Sequence, residues 1–290
     1  MIRDILISMR PVQWPKNLFV FAALVFSREF KDPAKVGISF LTFILFCLLS
    51  GAVYLINDIF DAAEDRSHWK KRSRPLAAGR LPARVAWSAA IVTALLSLIT
   101  AFVVINVELG WVALAYFVVM VGYSVFLKRV VIIDVLVIAF GFVLRALAGG
   151  KAIGVPISVW LYICTFLLAL FLALSKRRHE LVLLEESAAA HRKILAEYSP
   201  YLLDQMIAVV TSSTVMAYAL YTLNDRTIRE VSDKLYFSIP FVMYGIFRYL
   251  YLVHREAEGG EPERLLFSDP PLLIGVALWV LSVFLILQWG

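Results

Sequence analysis

The sequence predicts an all-α integral membrane protein of nine transmembrane helices, with its active site on the cytoplasmic side. Three observations carry that expectation. The chain of 290 residues is 61% hydrophobic with a mean hydropathy of +0.80, whereas a soluble domain is usually ~45–50% apolar. Apolar runs recur at the ~20 residues that carry a helix across a bilayer. Lys and Arg are divided unevenly between alternate loops, which sets orientation.

The elements follow in order. Residues 1–17 lack the apolar core of a cleavable signal peptide and read as an amphipathic lead-in helix at the interface. There Arg10, Gln13, Trp14, Lys16 and Asn17 mix anchoring with hydrogen-bond donors. The first span, 14–29, is short and contains Pro15. Spans follow at 36–56, 84–105, 109–127 and 131–149; the last carries Arg145, whose charge should be buried among helices. The remaining four are 157–175, 203–223, 234–253 and 271–289, with 176–202 continuing the sixth span as an amphipathic helix.

Nine crossings put the N-terminus and the loops after spans two, four, six and eight on one side. That side holds 20 of the 28 Lys and Arg residues, so it is expected to be cytoplasmic, with the C-terminus outside. The whole chain, 1–290, reads as one polytopic domain in a bacterial plasma membrane. The net charge of +6 then reflects topology and site chemistry, and no nucleic-acid partner is expected. Cys47 and Cys164 lie in apolar spans, where a thiol behaves as a small hydrophobe.

The richest stretch is Asn57 to Pro75, which begins where an apolar span ends. At about 100° per helical residue, Asp58, Asp61 and Asp65 fall within roughly 60° on one face, and Asn57 lies about 40° beyond Asp61. Three carboxylates on one face repel one another. A divalent cation resolves the repulsion, and Mg²⁺ suits oxygen ligands that share its sphere with water and phosphates. An exposed acidic helix end salt-bridged to the lysines that follow is the bland alternative.

Basic residues crowd the same predicted face. Arg66, Lys70, Lys71, Arg72, Arg74 and Arg80 follow the acidic cluster. For Lys70 and Arg80 simple topology suffices, while Lys71, Arg72 and Arg74 are placed to neutralise a departing diphosphate. His68 is a phosphate or hydroxyl contact, or a structural histidine. Tyr123, Ser124 and Lys128 close the fourth span; Lys176, Arg177, Arg178, His179 and Glu180 close the sixth. Asp134 at the start of the fifth needs a partner such as Lys128 or Arg145. Four basic clusters exceed the needs of one diphosphate, so a second phosphorylated group is expected in the site.

Asn57-Asp58-x-x-Asp61-x-x-x-Asp65 after a membrane span resembles the UbiA superfamily of intramembrane prenyltransferases. Those enzymes bind an isoprenoid diphosphate through two aspartate-rich motifs and Mg²⁺. Where the second motif belongs, this chain has Ser175-Lys176-Arg177-Arg178-His179-Glu180-Leu181. The departure resembles the decaprenyl-phosphate 5-phosphoribosyltransferase branch. The similarity extends to Arg10-Pro11-x-Gln13-Trp14-x-Lys16-Asn17, Arg72-x-Arg74-Pro75-x-Ala77-Ala78-Gly79, Tyr123-Ser124-x-x-Leu127-Lys128 with Asp134, Arg145-x-x-Ala148-Gly149-Gly150, and Gly260-Glu261-Pro262-Glu263. Trp69 departs from that branch, which has Pro after the histidine.

The resemblance implies a UbiA-like fold and a donor, 5-phosphoribosyl 1-diphosphate, whose phosphoribosyl group passes to a polyprenyl phosphate. It implies Mg²⁺, with Mn²⁺ as a substitute, held by Asp58, Asp61 and Asp65 with Asn57 in support. Lys71, Arg72 and Arg74 would stabilise the leaving diphosphate. Lys16, Lys128, Lys176, Arg177 and Arg178 would hold the other phosphates, and Tyr123 a ribose hydroxyl. Asn17, His68, Ser124, Asp134, Arg145 and Glu180 would support them. Membrane lipid surrounds such a protein, and a homo-oligomer is compatible with it. Two rivals stand beside this reading. An isoprenoid-diphosphate enzyme with a small aromatic acceptor would want a second carboxylate pair, and a polyprenyl-phosphate carrier gives three clustered aspartates no task.

Overall fold

A computed structural model describes residues 1–67, 71–186, 197–255 and 262–289. Among these residues every regular element is helical, and eight helices are long and apolar enough to cross a membrane. The chain divides into two compact units. The first comprises residues 1–25 and 29–156, the second residues 26–28 and 157–290.

The first unit contains α1 (Ile2–Ser8), a 3₁₀ segment (Pro11–Phe21) leading into α2 (Ala22–Phe26, all but its last residue), α3 (Pro33–Ser67), α4 (Ala83–Ile99), a π-helical turn (Thr100–Ile105), α5 (Val107–Val125) and α6 (Ile133–Ile153). The second contains α7 (Val159–Glu186), α8 (Pro200–Leu223), α9 (Asp225–Glu230), α10 (Ile239–Arg255), α11 (Pro262–Ser268) and α12 (Pro270–Trp289). Three of the spanning helices begin at an acceptor–proline pair. Proline at the first helical position loses no bond, and the residue before it caps a free amide. Asp32 Oδ1 accepts from Ala34 N (2.9 Å), Ser199 Oγ from Leu202 N (3.1 Å) and Asp269 Oδ1 from Leu272 N (2.8 Å).

Eight of the nine expected spans have a matching long helix; the first, 14–29, does not. Pro15 cannot donate an α-type bond back to Pro11, and its ring would crowd that carbonyl. The segment winds instead as an eleven-residue 3₁₀ helix. A second correction concerns α3. The apolar span is expected to end at residue 56, whereas the helix runs unbroken through Ser67, which gives it a length of ~52 Å and keeps the aspartates helical. The expected helix over 176–202 is seen only as far as Glu186; residues 187–196 lie outside the described residues.

In the first unit α3 packs against α4, α5, α6 and the 3₁₀ segment. Phe46, Leu49, Ala52, Leu109, Tyr116, Leu144 and Ala148 form its core. Gly149 lets α6 close on that segment, since a Cβ there would overlap the Val20 carbonyl. In the second unit α7 pairs with α8, and α10 with α12, around Tyr218, Tyr221, Leu235, Val283 and Leu287.

Candidate active site

The last three turns of α3 bring Asp58, Asp61 and Asp65 onto one face, and all three are buried. Apolar residues earlier in the helix fix its rotation, so the carboxylates turn inward with them. Charge taken out of water is tolerated only when it is paired and hydrogen-bonded. Three cations from three different stretches of the first unit meet that demand.

Arg74 arrives from the segment after α3. A 3₁₀ turn at Lys71–Ser73, a bond from Ala78 N to Arg74 O (2.8 Å) and the left-handed Gly79 (φ 75°) fold this segment back. Leu76 and Leu81 anchor it in a buried cluster with Met9, Leu55 and Ile56. Arg74 Nη1 donates to Asp65 Oδ2 at 2.6 Å and to Asp58 Oδ1 at 3.4 Å, so one guanidinium nitrogen draws two carboxylates together. Arg10 follows α1, with its backbone in the left-handed region (φ 52°). Its guanidinium pairs with Asp58 and lies 4.8 Å from the Tyr54 ring centre. Gly51 makes room for this approach, because a Cβ there would strike Met9.

Lys128 is the third cation. It sits in the 3₁₀ turn Leu127–Arg129 and is only 6% exposed. Its ammonium pairs with Asp61 and donates to Asn57 Oδ1 (3.2 Å), while Asn57 Nδ2 donates to Asp61 Oδ2 (3.0 Å). Ile132, β-branched and at φ 68°, takes the chain sharply from this turn into α6. Such a conformation costs of order 1–3 kcal/mol and persists only where its surroundings enforce it.

The structure thus joins Asn57, Asp58, Asp61, Asp65, Arg74 and Lys128 in one cluster and adds Arg10, which the sequence reads as an interfacial anchor. Asp134 is fully buried at the start of α6, but Lys128 and Arg145 point to other acceptors. Arg145 donates to Asn17 Oδ1 (2.7 Å), Gly141 O (2.9 Å) and Tyr116 Oη (2.6 Å). Ser124 is buried and bonds its own helix at Met120 O (2.9 Å). Lys16, Lys71 and Tyr123 are half-buried and Arg72 is exposed. His68, Trp69 and Lys70 lie outside the described residues, as do Gly260 and Glu261.

Lys176, Arg177, Arg178 and Glu180 belong to the second unit. Arg177 is buried and pairs with Glu180 one turn on (2.5 Å). Arg178 pairs with Asp204 of α8, which also meets His254 Nε2 of α10 (3.2 Å). Nothing in the pattern around Asp204 marked it.

Hard oxygen donors suit a divalent cation that keeps waters and accepts phosphate oxygens, and the convergence of Asp58 and Asp65 on one nitrogen supplies such donors. Among the described residues no three Asp, Glu, His or Cys side chains close into a ready-made cage. Any ion held here would need its sphere completed by ligand and solvent oxygens.

A match to the UbiA prenyltransferase family covers residues 17–267. The chain belongs to the UbiA prenyltransferase family. Within it, the chain is similar to proteins named decaprenyl-phosphate phosphoribosyltransferase. The one from Corynebacterium glutamicum is 33% identical over 95% of this chain and 84% of its own length. The one from Mycolicibacterium smegmatis is 32% identical over 94% and 89%. The fold resembles that of a UbiA homolog from Archaeoglobus fulgidus bound to GPP and Mg²⁺, with a TM-score of 0.72, 21% identity and 98% and 99% of the two chains covered.

Proposed function

We propose that this UbiA-family chain transfers a 5-phosphoribosyl group from 5-phosphoribosyl 1-diphosphate to a polyprenyl phosphate and releases diphosphate. The observation that carries the reading is similarity above 30% identity, over nearly the whole chain, to two proteins named for that activity. The cluster at the end of α3 supports it chemically, because a donor diphosphate needs carboxylates for its metal and cations for its leaving charge.

An oxygen of the lipid phosphate attacks the anomeric carbon, and the bond from that carbon to the diphosphate oxygen breaks. The nucleophile is already ionised, so no general base is required. Bound Mg²⁺ would neutralise the diphosphate, and Asp58, Asp61 and Asp65 with Asn57 are the residues to hold it. Lys71, Arg72 and Arg74 carry the departing charge, and Lys128 and Lys16 hold phosphate oxygens. Tyr123 faces a ribose hydroxyl. For Lys176, Arg177 and Arg178 the assignment to phosphate rests on charge alone. Positioning and charge stabilisation then account for the rate.

The proposal extends to topology. A 3₁₀ helix rises about 2.0 Å per residue, so Pro11–Phe21 with α2 reaches nearly the ~30 Å of a hydrocarbon core. It serves as a ninth crossing in one polytopic domain of a bacterial plasma membrane, with the N-terminus and site cytoplasmic and the C-terminus outside. Mass spectrometry of lipid products from purified protein, 5-phosphoribosyl 1-diphosphate, polyprenyl phosphate and Mg²⁺ tests the function. The expected product is a polyprenyl phosphoribose that requires both substrates. Product from an isoprenoid diphosphate and an aromatic acceptor instead would overturn it.

A further inference from the structure

Arg145 is a buried cation in the interior of a membrane unit, and it has no carboxylate partner among the described residues. It is 5% exposed. Three of its donors go to neutral acceptors, Asn17 Oδ1, Gly141 O and Tyr116 Oη. Its guanidinium carbon also lies 4.6 Å from the Tyr116 ring centre and 5.2 Å from that of Phe142. An intramembrane charge is costly enough that this arrangement calls for a purpose.

Asn17 shows where the arrangement leads. It is 1% exposed and its amide is used at both ends. Oδ1 accepts from Arg145 of α6, while Nδ2 donates to Ser50 Oγ and Cys47 Sγ of α3, each at 3.3 Å. The 3₁₀ segment is therefore bonded to both helices through this single side chain. Three residues further on, the Val20 carbonyl occupies the space that any Cβ at position 149 would need.

The pitch of the segment connects this anchor to the carboxylates. Arg10 stands seven residues before Asn17, and seven residues of 3₁₀ helix rise about 14 Å. Along α3, Ser50 and Cys47 stand eight and eleven residues before Asp58, which is about 12–17 Å at the α-helical rise. The two spacings agree, so a segment pinned by Asn17 beside Ser50 delivers Arg10 beside Asp58. An α-helical segment would rise only about 10–11 Å over the same residues and fall short. Arg10 bears the strain of this fit in its left-handed backbone, φ 52° and ψ 66°.

We propose that Asn17 and Arg145 are positioning residues for the reaction: through the 3₁₀ ruler they hold Arg10 against Asp58, which aligns that carboxylate for the metal–diphosphate. This rests on the function proposed above. The test is a double-mutant cycle with Asn17→Ala, Arg10→Ala and the double variant, and with Ser50→Ala as a gentler substitution that removes one of the two acceptors of Asn17 Nδ2 together with the bond from Ser50 Oγ to Cys47 O. Two quantities are read for each protein: kcat/KM for transfer, and the rise in thermal midpoint on adding inorganic diphosphate with Mg²⁺.

Asn17→Ala is expected to lower kcat/KM by about 10- to 100-fold, as a displacement of about 1 Å does, and to reduce the ligand-induced rise. Ser50→Ala gives a smaller loss of both. The double variant should be no worse than Arg10→Ala alone, because both changes act through one side chain. If Asn17→Ala does not fold, the cycle is run with Ser50→Ala. Losses that multiply, or a ligand-induced rise in the Asn17 or Ser50 variant equal to wild type, overturn the positioning role. Wild-type protein that is stabilised by diphosphate and Mg²⁺ but makes no phosphoribosyl lipid refutes the proposed function, and the binding cycle then still decides the positioning role. Wild type that shows neither response refutes both.

Discussion

Asp61 and Lys128 offer the sharpest separation of stability from chemistry in this protein. Their side chains are 9% and 6% exposed, and Asn57 bonds both, donating to Asp61 and accepting from Lys128. Removing one member of a buried pair typically costs ~3–5 kcal/mol, because the other charge is left without a partner. Asn57 stays in place for whichever partner remains, and a hydrogen bond of that kind returns about 1 kcal/mol. Asp61→Leu and Lys128→Met should therefore each destabilise the protein by about 2–4 kcal/mol. The corresponding fall in thermal midpoint is on the order of 5–10 °C. The double variant replaces the pair with apolar side chains of similar volume and should recover most of that loss, ending within about 1 kcal/mol of wild type. It should recover no transfer activity if, as proposed, the carboxylate holds the metal and the ammonium a phosphate. Thermal unfolding in detergent and the lipid-product assay, run on the same four proteins, read the two effects apart. Additive losses of stability would refute the reasoning about burial, and restored turnover in the double variant would remove both residues from the chemistry.

The remaining expectations are shorter. Asp58→Ala should abolish Mg²⁺-dependent transfer while leaving protein that folds and extracts; near-normal turnover would make the metal assignment wrong. Replacing Lys176 and Arg177 together should raise the KM for a phosphorylated substrate more than it lowers kcat, and steady-state kinetics check the split. Gly149→Ala forces a Cβ onto the Val20 carbonyl and should cost about 1–3 kcal/mol. Gly245→Ala in α10 meets no atom within 4 Å and should gain up to about 1 kcal/mol from helix propensity; equal midpoints for the two variants would contradict both estimates. Arg248 holds the Asp269 carboxyl below its ordinary value of 3.8, so this pair stabilises the fold above that pH. Its contribution is lost as pH falls through the lowered folded value. The deficit of Asp269→Asn in thermal melts should accordingly be present at neutral pH and shrink in acid.

Much of the architecture was legible along the chain because lipid imposes a simple rule: an apolar run of sufficient length becomes a helix. Eight spans obeyed it. The exception, 14–29, shows the limit of hydropathy, which registers the apolar content of the run and is blind to the backbone bond that Pro15 removes. The acidic cluster was legible for a similar reason, since helical periodicity alone puts Asp58, Asp61 and Asp65 on one face. Their partners were not. Arg10 is 48 residues from Asp58 and Lys128 is 67 residues from Asp61, and no local pattern encodes which cation closes on which carboxylate.

The amino-acid order by itself thus determined the membrane class, eight of the helical spans and the carboxylate face, because each depends on neighbours within a few turns. Only the tertiary structure decided that Arg10 joins Arg74 and Lys128 in matching those carboxylates, and that Arg145 turns to Asn17 rather than to Asp134. Those pairings depend on helix rotation, on the close approaches that Gly51 and Gly149 permit, and on the rise of one 3₁₀ segment. These are properties of packed helices, fixed when the chain closes on itself.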